Sequence, residues 1–217
     1  MPVEKSSEEI TKMLNGEPYL PLTDPVMLQL KTRTKNLLYE LNHYRPAKYT
    51  PGMTPEDMFG GIDGKKYDIL AQLFDIPLEK AKKLAIEPPF YCDHGVFIVF
   101  KGSFYCNNNT TILDSAKVII GDRVLFGPNV SIYAATHSVH VEERLEELER
   151  GYPVEIGDDV WIGGSVNIVC NARTPTKIGN GCTVAAGTTV WGTFPDAKTQ
   201  QNVVIAGNPP KIIKHIK

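Results

Sequence analysis

The sequence predicts a mainly β fold, a parallel β-helix built from hexapeptide repeats and preceded by a helical arm. Over residues 118–209 an aliphatic or aromatic residue recurs at every sixth position: Ile120, Phe126, Ile132; Ile156, Ile162, Ile168; Ile178, Val184, Val190. Glycine directly follows several of them, at Gly121, Gly127, Gly157, Gly163 and Gly179. The run VIIGDRVLFGPNVSI reappears as VEIGDDVWIGGSVNI. In such a repeat a short extended face is followed by a turn, and three faces close a triangular coil of about 18 residues. The sixth residue points into the prism and stacks on its copies in the neighbouring coils, so stability is nearly one-dimensional. Glycine after it suits a corner that needs positive φ or close backbone approach. Asp, Asn and Ser at the next positions suit solvent-facing turns. A β-sandwich has no reason to hold a period of six.

Along the chain, residues 1–86 form a helical arm. Met27, Leu30, Leu37, Leu38 and Leu41 fall near helical spacing. Asp24 is placed to cap that helix, with Pro25 at its first position. A loop, RPAKYTPGM, precedes a second helix start at Thr54-Pro55-Glu56-Asp57, which Gly60-Gly61 breaks. Residues 65–74 and 78–86 carry short helical patterns. The arm is too apolar on one face to be a free tail, so it packs on the prism or on a neighbouring subunit. Pro88-Pro89 opens the β-helix domain, residues 87–210. Residues 90–117 lack the glycine signature and predict irregular coils, with regular ones from Val118.

The period breaks twice. Between Ile132 and Ile156 lie ATHSVHVEERLEELERGYPV and its flanks, charged and rich in helix formers, which predicts a loop thrown out of the prism over 136–153. Between Ile168 and Ile178 the segment CNARTPTK carries a small insertion. Asn208-Pro209-Pro210 is expected to force the chain off the last coil, leaving residues 211–217 as a basic tail with Lys211, Lys214 and Lys217.

Composition narrows the function classes. A formal net charge of -2 gives no basic footprint for nucleic acid. No apolar run approaches the roughly 18 residues of a membrane span. The start MPVEKSSEEITKML is polar and acidic, wrong for a secretory signal, so a cytoplasmic location is expected. Cys92, Cys106, Cys170 and Cys182 form no CxxC pair and read as reduced thiols acting as small buried hydrophobes. No metal is expected.

A stacked prism is filled with its own side chains, so chemistry must sit on loops, on outer faces or between chains. His137, at the root of the expelled loop, is the candidate general base. A base needs a partner to orient its ring and stabilise the imidazolium. Glu142, Glu143, Glu146, Glu147 and Glu149 are the loop's candidates, most of them a solvated face. His140 is a weaker base candidate.

The stretches IEPPFYCDHG, THSVH, ELERGYPVEIGDDVWIGG and VVIAGNPPKII, with LTDPVM and NLLYELN in the arm, resemble the galactoside/maltose O-acetyltransferases of the hexapeptide acyltransferase superfamily. The resemblance covers nearly the whole chain. It implies a left-handed β-helix, homotrimers with active sites at the subunit interfaces, acetyl-CoA as donor and a sugar hydroxyl as typical acceptor. By matching position it implies His137 as the catalytic histidine, with Glu149 near it. It implies an acceptor pocket including Asp24, Asp93, Tyr105, Asn107 and Leu125. It implies a CoA side including Trp161, Gly164, Ala186, Lys211 and Lys214, the N–H of Gly164 being the oxyanion donor by position.

Several positions depart from the pattern. Thr136 replaces the common glycine before the histidine. Trp191-Gly192-Thr193 stands where a Ser/Thr-Lys-Asp stretch is usual, and DAKTQQ follows Pro195, where it would fold over the CoA groove. Ser115 stands where some sugar acetyltransferases have an acid. Other readings are an acyltransferase for an amine or xenobiotic acceptor and a non-catalytic β-helix scaffold. A γ-class carbonic anhydrase would need three zinc-binding histidines. Only His43, His94, His137, His140 and His215 exist, in a different spacing.

Overall fold

The computed structural model describes residues 3–194 and 202–216. DAKTQQ lies outside the described residues. The prism is a parallel β-helix of about six coils. Its seven-stranded face runs Leu84–Ile86, Phe104–Cys106, Val124–Phe126, Trp161–Ile162, Thr183–Val184, Val203–Ala206 and Lys211–His215. The other two faces have five strands each, beginning at Phe90–Cys92 and at Ile98–Phe100.

Strict register produces three inward stacks. Phe100, Ile120, Ile156 and Ile178 form one. Cys92, Ile112, Ile132, Ile168 and Val190 form the second. Cys106, Phe126, Ile162, Val184 and Ile205 form the third. All four cysteines are free and buried, two of them as members of these stacks. Each fully buried aliphatic side chain contributes about 1.5–3 kcal/mol of transfer free energy.

The corners separate the two uses of glycine. Gly121, Gly127, Gly157, Gly163 and Gly179 are not among the positive-φ residues. They are needed for close approach: a Cβ on Gly157 would stand 2.2 Å from Asn180 Oδ1, and one on Gly121 2.4 Å from the Gly157 carbonyl. That space is filled by a polar ladder. Asp122 Oδ1 accepts from Ser103 N–H at 2.7 Å, Asp158 Oδ1 from Asp122 N–H at 2.8 Å, and Asn180 Oδ1 from Asp158 N–H at 2.8 Å. Positive φ falls two residues after the glycine position, at Asn109, Arg123, Asn129, Asp159, Ser165, Gly181 and Gly187.

Three expectations change. The coils before Val118 are regular: Ile98 and Phe100 pair in register with Val118 and Ile120. Lys101 and Asn107 stand where the later coils have the glycine after the inward residue, and aromatic rings fill this end of the prism. Phe100 lies 5.2 Å from Phe104, and Phe104 5.0 Å from Phe126, centroid to centroid. The helical pattern over 78–86 gives only α5, Leu78–Ala81 (following α1, Glu8–Asn15; α2, Pro25–Asn42; α3, Pro55–Gly60; α4, Lys65–Phe74). Leu84–Ile86 is already a prism strand, paired with Phe104–Cys106, so the first coil begins before residue 87. The basic tail does not leave the prism. Lys211–His215 turns back antiparallel on Val203–Ala206, because the last parallel strand otherwise presents an unpaired edge. The segment after Ile132 is thrown out of the prism as expected, as an ordered ribbon: Ala135–His137 and Glu149–Gly151 pair antiparallel, with a short helix, α6, Val141–Leu145, at its tip.

The arm packs on its own prism. Leu37, Leu38 and Leu41 of α2 and Leu70, Leu73 and Phe74 of α4 join the prism core. Phe74 meets Phe100 edge-on at 4.9 Å and closes the prism's open end. Asp24 caps α2 as expected, its Oδ1 accepting from Met27 N–H at 2.8 Å. Thr54 and Asp57 form a reciprocal capping box on α3.

Candidate active site

The ribbon places His137 directly opposite Glu149. His137 Nε2 lies 3.8 Å from Glu149 Oε1, with the imidazole more than half exposed and the carboxylate largely covered. The other loop glutamates do different things. Glu143 pairs with Arg150 across the ribbon, and Glu142, Glu146 and Glu147 are exposed.

A line of polar groups continues inward from Glu149. Its Oε2 accepts from the Tyr19 hydroxyl at 2.7 Å. The Ser115 hydroxyl stands beside the Tyr19 oxygen. Ser115 Oγ lies 3.4 Å from Asp93 Oδ2. Behind Asp93 the fully buried Asp114 accepts from the N–H groups of His94 at 2.8 Å, Asp93 at 3.0 Å and Phe97 at 3.3 Å. Gly151 fixes the height of the ribbon above this line: a Cβ there would stand 1.9 Å from the Ser115 carbonyl oxygen.

Burial dominates the electrostatics. It raises the Tyr19 hydroxyl far above the ordinary phenol value, keeping the proton on. It raises the Asp93 carboxyl, against the pull of Lys31 and Lys35 on α2 and with the help of Glu149. Asp114 is pushed up to about 7 by burial, despite its three N–H donors. The buried His94 ring is pushed down to about 3 by burial and by Lys31.

Of the residues expected from the sequence, His137, Glu149 and Asp93 are joined by this line. Asp24 sits at the start of α2, occupied as its cap. Tyr105, Leu125 and Trp161 form one outward ladder on the seven-stranded face. Leu125 and Trp161 are exposed, and Tyr105 meets Phe59 edge-on. Within one chain this ladder is on a different sheet from the coil side leading to His137. Asn107 follows the same face at a corner, its side-chain oxygen accepting from Asn108 N–H at 2.8 Å. Gly164 and Ala186 each stand two residues beyond a paired strand residue, Ile162 and Val184, and so occupy equivalent corners of adjacent coils. Lys211 and Lys214 are exposed on the terminal antiparallel strand. Trp191 is exposed beside Gly192. Sequence reasoning missed Tyr19 and Asp114. Tyr19 lies in the short segment GEPYLPLTD, outside any periodic pattern, and nothing in its neighbourhood points at a partner 130 residues away. Among the described residues no group of three or more His, Cys, Asp or Glu is placed to hold a metal ion, and no helix is long and apolar enough to cross a membrane.

The stacked hexapeptide coils, capped by a helical arm, define a hexapeptide-repeat protein. Residues 12–75 match the maltose acetyltransferase hexapeptide capping motif, and residues 153–191 the hexapeptide repeat of succinyl-transferase. A Saccharomyces cerevisiae protein designated a candidate acetyltransferase is 40% identical over 95% of this chain and 92% of its own length. A maltose O-acetyltransferase from Clostridium difficile 630 superposes with a TM-score of 0.76 at 30% identity, over 99% of this chain and 100% of its own. A galactoside acetyltransferase in complex with coenzyme A superposes with a TM-score of 0.75 at 28% identity, over 98% and 92%. The chain belongs to the hexapeptide-repeat acetyltransferase family.

Proposed function

We propose that this acetyltransferase uses acetyl-CoA to acetylate a hydroxyl group of a sugar or similar small acceptor, with His137 as general base. The observation that carries the reading is the opposition of His137 and Glu149 on an ordered ribbon, with Glu149 anchored from behind. With Nε2 turned toward Glu149, Nδ1 is left to receive the acceptor's proton. His137 takes that proton as the acceptor oxygen forms its bond to the acetyl carbon, and returns it to the thiolate as the carbon–sulfur bond breaks. Glu149 stabilises the imidazolium between these events. Acetyl-CoA supplies the acetyl group already activated as a thioester.

The kinship with a CoA-bound galactoside acetyltransferase and a maltose O-acetyltransferase supports both the donor and the acceptor class. The corners bearing Gly164 and Ala186 carry nothing larger than a methyl group, which suits a narrow pantetheine chain. Trp161 offers an exposed ring beside it, and Lys211 and Lys214 offer point charges for phosphates. Asp93, Asn107 and Tyr105 supply polar groups for a hydroxylated acceptor. One chain does not bring Tyr105 and Leu125 to His137. A homotrimer would, by setting the seven-stranded face of one copy against the ribbon of the next. Asp24 serves the site by fixing the register of α2, whose Lys31 acts on Asp93.

The test is thiol release from acetyl-CoA in the presence of maltose, methyl β-galactoside and related sugars. The wild type is expected to turn over at least one of them. His137→Ala should lower kcat by about 10²- to 10⁴-fold with the assembly intact by sedimentation. A loss under about threefold would remove His137 from its role.

A further inference from the structure

Tyr19 is the arm's contribution to the ribbon. Its ring is 1% exposed, packed in a cluster with Ile10, Met13, Met27, Leu30 and Phe97. Backbone bonds tie it to Glu149 in both directions: Tyr19 N–H to the Glu149 carbonyl at 3.1 Å, and Glu149 N–H to the Tyr19 carbonyl at 3.0 Å. Its hydroxyl then takes one carboxylate oxygen of Glu149, Oε2 at 2.7 Å, while the other, Oε1, faces His137.

This division of the carboxylate has a physical purpose. A glutamate on a projecting ribbon has three rotatable bonds and several staggered rotamers of similar energy. A donor held rigidly in a packed cluster selects one of them. The donor direction is also fixed. Burial keeps the phenol protonated. A phenol has one proton to give and lone pairs to accept with. The ionised Glu149 carboxylate can only accept, so the phenol proton is directed at its Oε2.

We propose that Tyr19 is a positioning residue that holds Glu149 in the rotamer facing His137, making the N-terminal arm part of the catalytic apparatus. The proposal rests on His137 acting as the base. Tyr19→Phe removes only the hydroxyl and keeps the packed ring. It is expected to lower kcat about 10- to 100-fold, with the acetyl-CoA KM and the melting temperature nearly unchanged. In a Glu149→Gln background the same change should cost less than about threefold, because the group it acts through is already disabled. A merely structural tyrosine would cost the same in both backgrounds, and that result would overturn the proposal, as would wild-type turnover in Tyr19→Phe while His137→Ala is inactive. Wild-type turnover in His137→Ala would overturn the base assignment and this proposal with it. The crystal structure of Tyr19→Phe decides the matter independently of any acceptor: the Glu149 carboxylate is expected to turn away from His137, and a carboxylate left in place would refute the idea.

Discussion

Gly151 shows how a single residue governs the site. It forms the base of the ribbon's second strand, opposite Ala135, and its missing side chain lets the ribbon rest on the Ser115 backbone. That contact sets the height at which Glu149 meets Tyr19 and His137. Gly151→Ala puts a carbon within the carbonyl of Ser115, so the ribbon must lift. The expected result is a fall in kcat of about 10²-fold, the scale set by a misplacement of roughly 1 Å. The accompanying destabilisation is about 1–3 kcal/mol, as for other overpacked sites. Steady-state kinetics with a urea melt checks both, and unchanged kinetics would show that the ribbon's height is not what aligns the pair. The same residue illustrates what sequence could supply. His137 and the glutamates of the loop were visible as chemistry-bearing types beside a break in the period. Which glutamate faces the histidine was not, because strand pairing across the ribbon decides it; family resemblance singled out Glu149, and composition could not.

At the scale of elements, the two ends of the prism solve one problem differently. A stacked coil leaves an unpaired strand edge and an open core at each end. At the N-terminal end α4 closes the core with Phe74, and the coils there exchange aliphatic side chains for Phe90, Phe100 and Phe104. At the C-terminal end Lys211–His215 folds back and pairs with Val203–Ala206. Its lysines keep the new outer edge charged, which discourages further strand addition. Deleting residues 208–217 is therefore expected to leave a folded prism that self-associates progressively. Light scattering over time against the full chain measures this, and a deletion variant as monodisperse as the parent would show that the last parallel edge needs no cover. The arm carries a comparable double duty, since α2 both closes the core and presents Lys31 toward Asp93 and His94.

Across the whole molecule, arm and prism meet at two neighbouring buried titratable groups whose proton linkages oppose each other. Asp114 has its folded value raised from 3.8 to about 7. Its contribution is greatest below the unfolded value and is lost as pH rises toward 7. His94 has its folded value lowered from 6.5 to about 3. Its contribution is present above 6.5 and is lost as pH falls. Between these limits the two slopes nearly cancel, so this pair leaves stability almost level from about pH 4 to about pH 6.5. Asp114→Asn removes one slope. The variant should lose stability as pH falls through that window, by a few kcal/mol in order of magnitude. His94→Phe should show the reverse, losing stability as pH rises. Urea melts across the window test both, and parallel pH profiles for the wild type and the two variants would rule out the opposition.

The sequence by itself determined the prism. Its period of six, its corner glycines and its polar turn residues are local requirements repeated coil after coil, and a local requirement leaves a mark in the chain. The helix over residues 25–42 with its Asp24 cap and the segment expelled after Ile132 were legible for the same reason. The tertiary structure alone decided that the early coils are regular, that the terminal strand turns back, and that Tyr19, Ser115 and Asp93 stand behind Glu149. Those arrangements rest on contacts between residues up to 130 positions apart. Such contacts depend on where the folded prism brings the arm. One hydroxyl, one serine and one aspartate carry no periodic signature from which that meeting could be read.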